Sequence, residues 1–282
     1  MYSLVFEKEN GKKYVFGAEG ATVVDANVGY GASISLGTSQ GFGQIGETVD
    51  TQSVSGRNII IKGTIYGNVE ERKRTLRNIC APFSKGKLIF NSKYYTNVYV
   101  KDAPTFSPKK TDGRFTMLFY APYPFFYTMD ENSAIIGEIT PMFSFPVNYA
   151  TEHKFGEKSL VKYFNVVNSG DVRTPFSLII EAKADTENVT ISNLKTFKFL
   201  KINGALKSGE IINIYRNSSN ILKAELVSNN TVTDILYRIS DDSTLFDLEV
   251  GDNLIQADDD SGGANIIVRM TYNTAVVAVY ED

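Results

Sequence analysis

The chain has 282 residues, a net charge of −3, one cysteine and no tryptophan. A near-neutral charge with Lys and Arg in no run of five or more excludes a general attraction to nucleic acid or anionic membranes. The lone Cys80 excludes an intrachain disulfide and a multi-cysteine metal site. With 43% hydrophobic and 22% charged residues, this length can bury one large core or two ordinary ones. The first ten residues lack a basic region followed by an apolar core, so no signal peptide is expected. No stretch reaches the roughly 18 apolar residues of a membrane-spanning helix.

Residues 2–16 predict a β-hairpin, with alternating Tyr2, Leu4 and Phe6, an Asn10-Gly11 turn and a return over Tyr14-Val15-Phe16. Residues 17–54 are rich in Gly, Ser and Thr and read as a long irregular loop, of the kind that faces a partner. Residues 56–67 give the clearest strand. Arg57, Ile59, Ile61 and Ile65 share one face, and Ile60, Lys62, Thr64 and Tyr66 the other. Both faces are partly apolar, which suits a central strand or one sandwiched in an assembly. A short helix follows over 68–80. Asn68 is its expected N-cap, Val69, Leu76, Ile79 and Cys80 form its apolar stripe, and Pro82 is its stop. A hairpin over 87–91 and 94–101 comes next, then a loop over 104–113 and a strand over 114–120 with Phe115, Met117 and Phe119 on one side.

Pro122, Pro124, Pro141 and Pro146 put a domain boundary near 128–140, so the expected domains are 1–130 and 131–282. The second half predicts short strands at 142–149, 160–168, 176–184, 188–193, 197–202, 211–216, 221–227, 232–239, 253–257, 265–272 and 275–280. Strands at this spacing without intervening helices imply a β-sandwich or jelly roll.

Motifs with chemical meaning are few. Gly41-Phe42-Gly43-Gln-Ile45-Gly46 spells the dinucleotide fingerprint, but that fingerprint needs a strand before it and a helix after it. An extended segment follows here, so a loop is the favoured reading. His153 is the sole histidine and sits among charged residues, which suits an exposed loop better than a catalytic base. Cys80 reads as a buried structural thiol. Asp258-Asp259-Asp260-Ser-Gly-Gly lacks the alternating ligands and distal Glu of a calcium loop and reads as an acidic turn. The Tyr94, Tyr95, Tyr99, Tyr123 and Tyr127 groups read as strand and interface residues. No catalytic residue, metal ligand or cofactor site is assigned.

The ordered set carries more information than any one motif. Ser-Gly-Arg-Asn-Ile-Ile-Ile-Lys-Gly-Thr-Ile-Tyr-Gly (55–67) precedes Glu-Glu-Arg-Lys-Arg-Thr-Leu-Arg-Asn-Ile (70–79), then Ala-Pro-Phe-Ser-Lys-Gly-Lys-Leu-Ile-Phe (81–90) and Tyr-Ala-Pro-Tyr-Pro-Phe-Phe (120–126). Asn168-Ser-Gly-Asp with Thr174-Pro-Phe-Ser-Leu-Ile-Ile, and Leu248-Glu-Val-Gly-Asp-Asn-Leu-Ile255, follow in the second half. This order resembles the distal tail protein family (Dit) of siphophages and related prophages. The resemblance implies a mostly β chain. Its N-terminal split β-barrel with one short helix would form a hexameric ring, and its C-terminal domain would be a galectin-like β-sandwich. The ring would be a structural hub, not an enzyme. It would join the tail tube protein to a baseplate or tail-associated fibre protein, with a tape-measure protein as a further neighbour, and DNA would pass through it. The expected location is the virion tail, assembled in the bacterial cytoplasm, without sequence-specific nucleic-acid binding, cofactor or membrane. Gly41, Phe42, Gly43 and Ile45 in the glycine-rich loop, with Arg57, Arg72, Arg74 and Arg77, are the interface candidates. The alternative is a host-wall polysaccharide-binding module in the C-terminal sandwich; the missing Trp and His cluster argue against a galectin-type sugar site.

Overall fold

The structure, a computed structural model, describes residues 3–17, 21–27, 32–109, 112–136, 139–141, 156–158, 163–262 and 265–279. The chain divides into two compact units. The first holds residues 1–130, 218–220 and 275–282, and the second holds 131–217 and 221–274.

The first unit contains β1 (Leu4–Lys8), β2 (Lys13–Val15), β3 (Ala21–Ala26), β4 (Ile34–Ser39), β5 (Thr48–Val54), β6 (Arg57–Ile65), α1 (Val69–Ile79), β7 (Lys85–Phe90), β8 (Tyr94–Phe106), β9 (Arg114–Ala121) and the start of β10 (Phe126–Ile136). Antiparallel pairing runs β3-β6-β9-β8-β7-β1-β2, so β6 is an interior strand, paired along both edges by β3 and β9. Its alternation is clean: Arg57, Ile59, Ile61, Gly63 and Ile65 are buried, and the residues between them are exposed or half-buried. The inward faces of β1, β6, β7 and β9 supply Leu4, Phe6, Ile59, Ile61, Leu88, Phe90, Met117 and Phe119 to one core. Phe6 and Phe119 pack ring to ring at 5.1 Å. Val279 joins this core, so the end of the chain completes it.

Several local expectations change. Residues 17–54 are not irregular, since β3, β4 and β5 lie within them. Their apolar residues are too sparse to betray a strand period because β4 and β5 bury neither face. The strand expected to end at Lys101 continues through Pro104 to Phe106. Register shifts at Val100/Asp102 and Asp102/Thr105 accommodate a residue without an N–H. Asn68 precedes α1 but caps no helical N–H; its amide instead donates to Glu71 Oε2 at 2.7 Å.

The second unit opens on the remainder of β10, followed by the pair β11 (Ile139–Pro141) and β12 (Gly156–Lys158). Then come β13 (Tyr163–Asn168), β14 (Phe176–Ala182), β15 (Thr186–Asn193), β16 (Lys198–Leu206), β17 (Ile211–Arg216), β18 (Leu222–Ser228), β19 (Thr231–Asp234), β20 (Gly251–Asp258) and β21 (Ile266–Val276). One antiparallel sheet runs β19-β18-β17-β14-β21 and another β13-β20-β15-β16. Leu178, Ile180, Ile214 and Met270 of the first share a core with Val166, Ile191, Ile202 and Ile255 of the second. The strand expected over 232–239 stops at Asp234, whose carboxylate accepts the Leu236 N–H and starts a 3-10 turn over Leu236–Arg238. The strand expected at 265–272 runs on without a break to Val276 as β21, and the separate strand expected at 275–280 does not form over 277–279. The expected strand at 142–149 lies outside the described residues.

Candidate functional site

The second-half sequence stretches that carry the family resemblance prove to be neighbours. Thr174 and Leu248 exchange both backbone hydrogen bonds, at 3.0 and 2.9 Å. Asn168, fully buried, donates to the carbonyls of Val172 and Leu248 and accepts from Gly170 N–H. Asn253, also buried, donates to the Glu249 and Gly251 carbonyls at 2.8 and 3.1 Å. Its Oδ1 accepts from Glu249 N–H and from the buried Asn193 amide. Gly251 has φ +84, the left-handed turn that a side chain would strain. These residues are satisfied, buried polar pins for a turn, so their role is architectural.

In the first unit the glycine-rich motif sits at the tip of a hairpin. β4 and β5 pair from Ile34↔Val54 to Ser39↔Thr48, with a bulge at Asp50. A strand follows the motif where a dinucleotide site needs a helix. Every residue from 33 to 55 is exposed. Pairing register puts Ile34, Leu36, Val49 and Val54 on one face, together with Thr38 and Gln52. Ser35, Gly37, Ser39, Thr48, Thr51 and Ser53 take the other. One side thus carries all four apolar side chains of the paired strands, and the other is small and hydroxylated. The tip presents Phe42 and Ile45 fully to solvent. Gly43 and Gly46 have φ of +75 and +87, which fixes glycine at those turn positions. The Gln44 side chain closes the loop, accepting from Gly41 N–H at 2.9 Å and donating to Thr48 Oγ1 at 3.0 Å.

The arginines part ways. Arg57 is only 7% exposed. Its Nη2 donates to Val277 O at 3.0 Å and its guanidinium lies 4.8 Å from the Phe126 ring centre. Nε and Nη1 are buried without a hydrogen-bond partner among the described residues, and burial lowers its pKa. Arg57 therefore acts inside the unit. Arg72 bends back to the Tyr66 carbonyl and covers Gly67. Arg77 stacks over Phe106 at 4.7 Å, beside the buried Lys73. Arg74 is exposed on the outer face of α1. Beyond the helix, Phe83 is fully exposed with φ +65, a left-handed conformation that costs a bulky residue about 1–2 kcal/mol.

The other motifs fall out as follows. The Cys80 thiol is buried and free, and burial pushes it up to about 12. Asp259 accepts from the N–H and hydroxyl of Ser261, and Asp260 from Asn188, so this acidic turn uses its carboxylates internally. Tyr123 and Tyr127 stack at 4.8 Å, and Tyr95 lies 5.4 Å from Tyr127 under the Lys87 ammonium. His153 lies outside the described residues. Sequence reasoning missed Phe83, whose only signal is a large apolar residue directly after a helix-stopping proline.

Comparison with known proteins points one way. Residues 169–275 match the family described as siphovirus-type tail component, C-terminal domain. No curated protein sequence matches. Among solved structures, the chain is similar to SPP1 Dit (gp 19.1), described as a paradigm of the hub adsorption apparatus in phages infecting Gram-positive hosts. The TM-score is 0.65 at 12% identity, over 98% of this chain and 99% of that one. It is similar also to a chain of the phage P2 baseplate in its activated conformation with calcium, with a TM-score of 0.55 at 11% identity over 96% and 98% of the chains.

Proposed function

We infer that this Dit-like chain is the structural hub of a siphovirus-type tail. In this reading six copies form a ring through an N-terminal split-barrel domain, and a galectin-like C-terminal sandwich extends from each. The ring joins the tail tube protein to the baseplate or tail-associated fibre protein, next to the tape-measure protein, and lets DNA through. It works in the virion tail after assembly in the bacterial cytoplasm, and it binds rather than catalyses.

One observation carries the ring: the β4–β5 hairpin, exposed on both faces. A two-stranded hairpin is marginal in water by itself and needs a surface for its apolar side. A neighbouring subunit provides one, covering Ile34, Leu36, Val49 and Val54. The opposite face suits a passage wall, since Ser, Thr and Gly give a DNA duplex no cation to hold. No Lys or Arg occurs anywhere from Ile34 to Val54. Gly41, Phe42, Gly43, Ile45, Arg72, Arg74 and Arg77 are the interface residues of this reading, with Arg57 bracing the strand beneath them. Electron microscopy of the intact tail tests it. Density for this chain as a ring at the tube–baseplate junction is expected, and its absence there sinks the reading.

A further inference from the structure

The hairpin and the helix stand at opposite ends of one strand. The hairpin leads into β6 at Arg57, where Asn27 holds the Ile60 N–H at 2.7 Å and donates to the Asn58 carbonyl. The helix begins beyond Ile65, and its Arg77 and Lys73 sit over Phe106, which pairs with Phe115 opposite Gly63. β6 has nine residues, about 30 Å of extended chain, between these two ends.

Their chemistry is complementary. The only charges from Ile34 to Val54 are Glu47 and Asp50, both exposed and acidic, beside the exposed Phe42 and Ile45. The outer face of α1 offers the exposed Arg74, Arg77 is exposed at the flank of the helix where it stacks on Phe106, and the turn after the helix presents Phe83. A fully exposed phenylalanine in the left-handed region is unfavourable locally on two counts, which suits a side chain kept for contact.

We propose that the hairpin tip of one copy docks on the C-terminal half of α1 in the next copy. Asp50 and Glu47 face Arg74 and Arg77, and Phe42 and Ile45 pack beside Phe83. The occupant is a second copy of this chain. Donor and acceptor are different surfaces, so the contact is heterologous and propagates head to tail, which closes a ring when the rotation allows. This rests on the ring reading and names the surfaces that meet in it.

Charge reversal tests it on the full chain. Wild type is compared with Asp50→Lys and with Arg74→Glu by sedimentation and light scattering in low salt. Circular dichroism melts check that each variant folds. Each variant alone should associate about tenfold more weakly or worse, because every contact then sets like charges together. The equimolar mixture should regain association, since each reversed tip meets a reversed helix in strict alternation. If the wild type assembles while both variants assemble equally well, or if the mixture gains nothing over its parts, the docking is wrong and the ring stands. A wild type that stays monomeric at all concentrations overturns the docking by itself, and microscopy of the tail still decides the hub.

Discussion

At the scale of single residues, buried polar groups are the sharpest feature. Asn253, 1% exposed, holds three backbone carbonyls, those of Val166, Glu249 and Gly251, and receives two N–H donors. Asn253→Ala strands these groups at about 1–3 kcal/mol each before relaxation. We expect a net loss of about 3 kcal/mol, read from the urea midpoint at constant slope. Arg57 should behave in the opposite way. Its buried guanidinium makes one hydrogen bond and meets no carboxylate among the described residues, so most of its desolvation is uncompensated. Arg57→Met should leave the melting temperature unchanged or raise it, and a loss of more than about 2 kcal/mol would contradict this account. Cys80 gives a pH signature. Its folded pKa of about 12 lies above the ordinary 9.0, so its stabilising share is complete below pH 9. As pH rises from 9 towards 12 the unfolded thiol ionises while the folded one does not, and that share is lost. Cys80→Ala should therefore flatten the alkaline fall in stability, and native Cys80 should resist thiol reagents at pH 8 until the protein unfolds.

At the scale of elements, β6 and the β4–β5 hairpin are opposites. β6 is legible in sequence because one face is buried and its Ile spacing follows the pleat. The hairpin is illegible because burial is what writes an apolar period into a strand, and neither of its faces is buried within the chain. Its glycines were visible but gave a motif without a context. Register then separates an apolar face from a hydroxyl face, a division invisible until Thr38 is seen to oppose Val49 across the bulge. Replacing residues 34–54 with a short Gly-Ser linker should leave the melting temperature of the rest within a few degrees, since no core side chain is lost. The same change should abolish self-association, seen by light scattering.

At the scale of the whole molecule, the first unit is built from both ends of the chain. Ala275–Val279 are counted with it, Val279 is in its core, and Val277 supplies the acceptor for Arg57. Val279→Asp should thus destabilise the unit formed by residues 1–130, by about 2–4 kcal/mol for a buried charge without a partner. Hydrogen exchange should show lost protection in β6 and β9, with the second unit's β14 and β20 protected as before.

What the sequence by itself determined was the mostly β class, the short helix after β6, the strands with one buried face and the order of motifs that resembles distal tail proteins. Local alternation, turn residues and a proline stop suffice for these because each signal lies within a few neighbouring residues. What only the tertiary structure decided was which distant residues meet. Asn168 and Thr174 find Leu248, the last residues find Arg57, and Arg57 turns inward while Arg74 stays out. Burial is a property of the folded neighbourhood and not of a residue type, so the arginines read alike in sequence and separate only when the core closes around one of them.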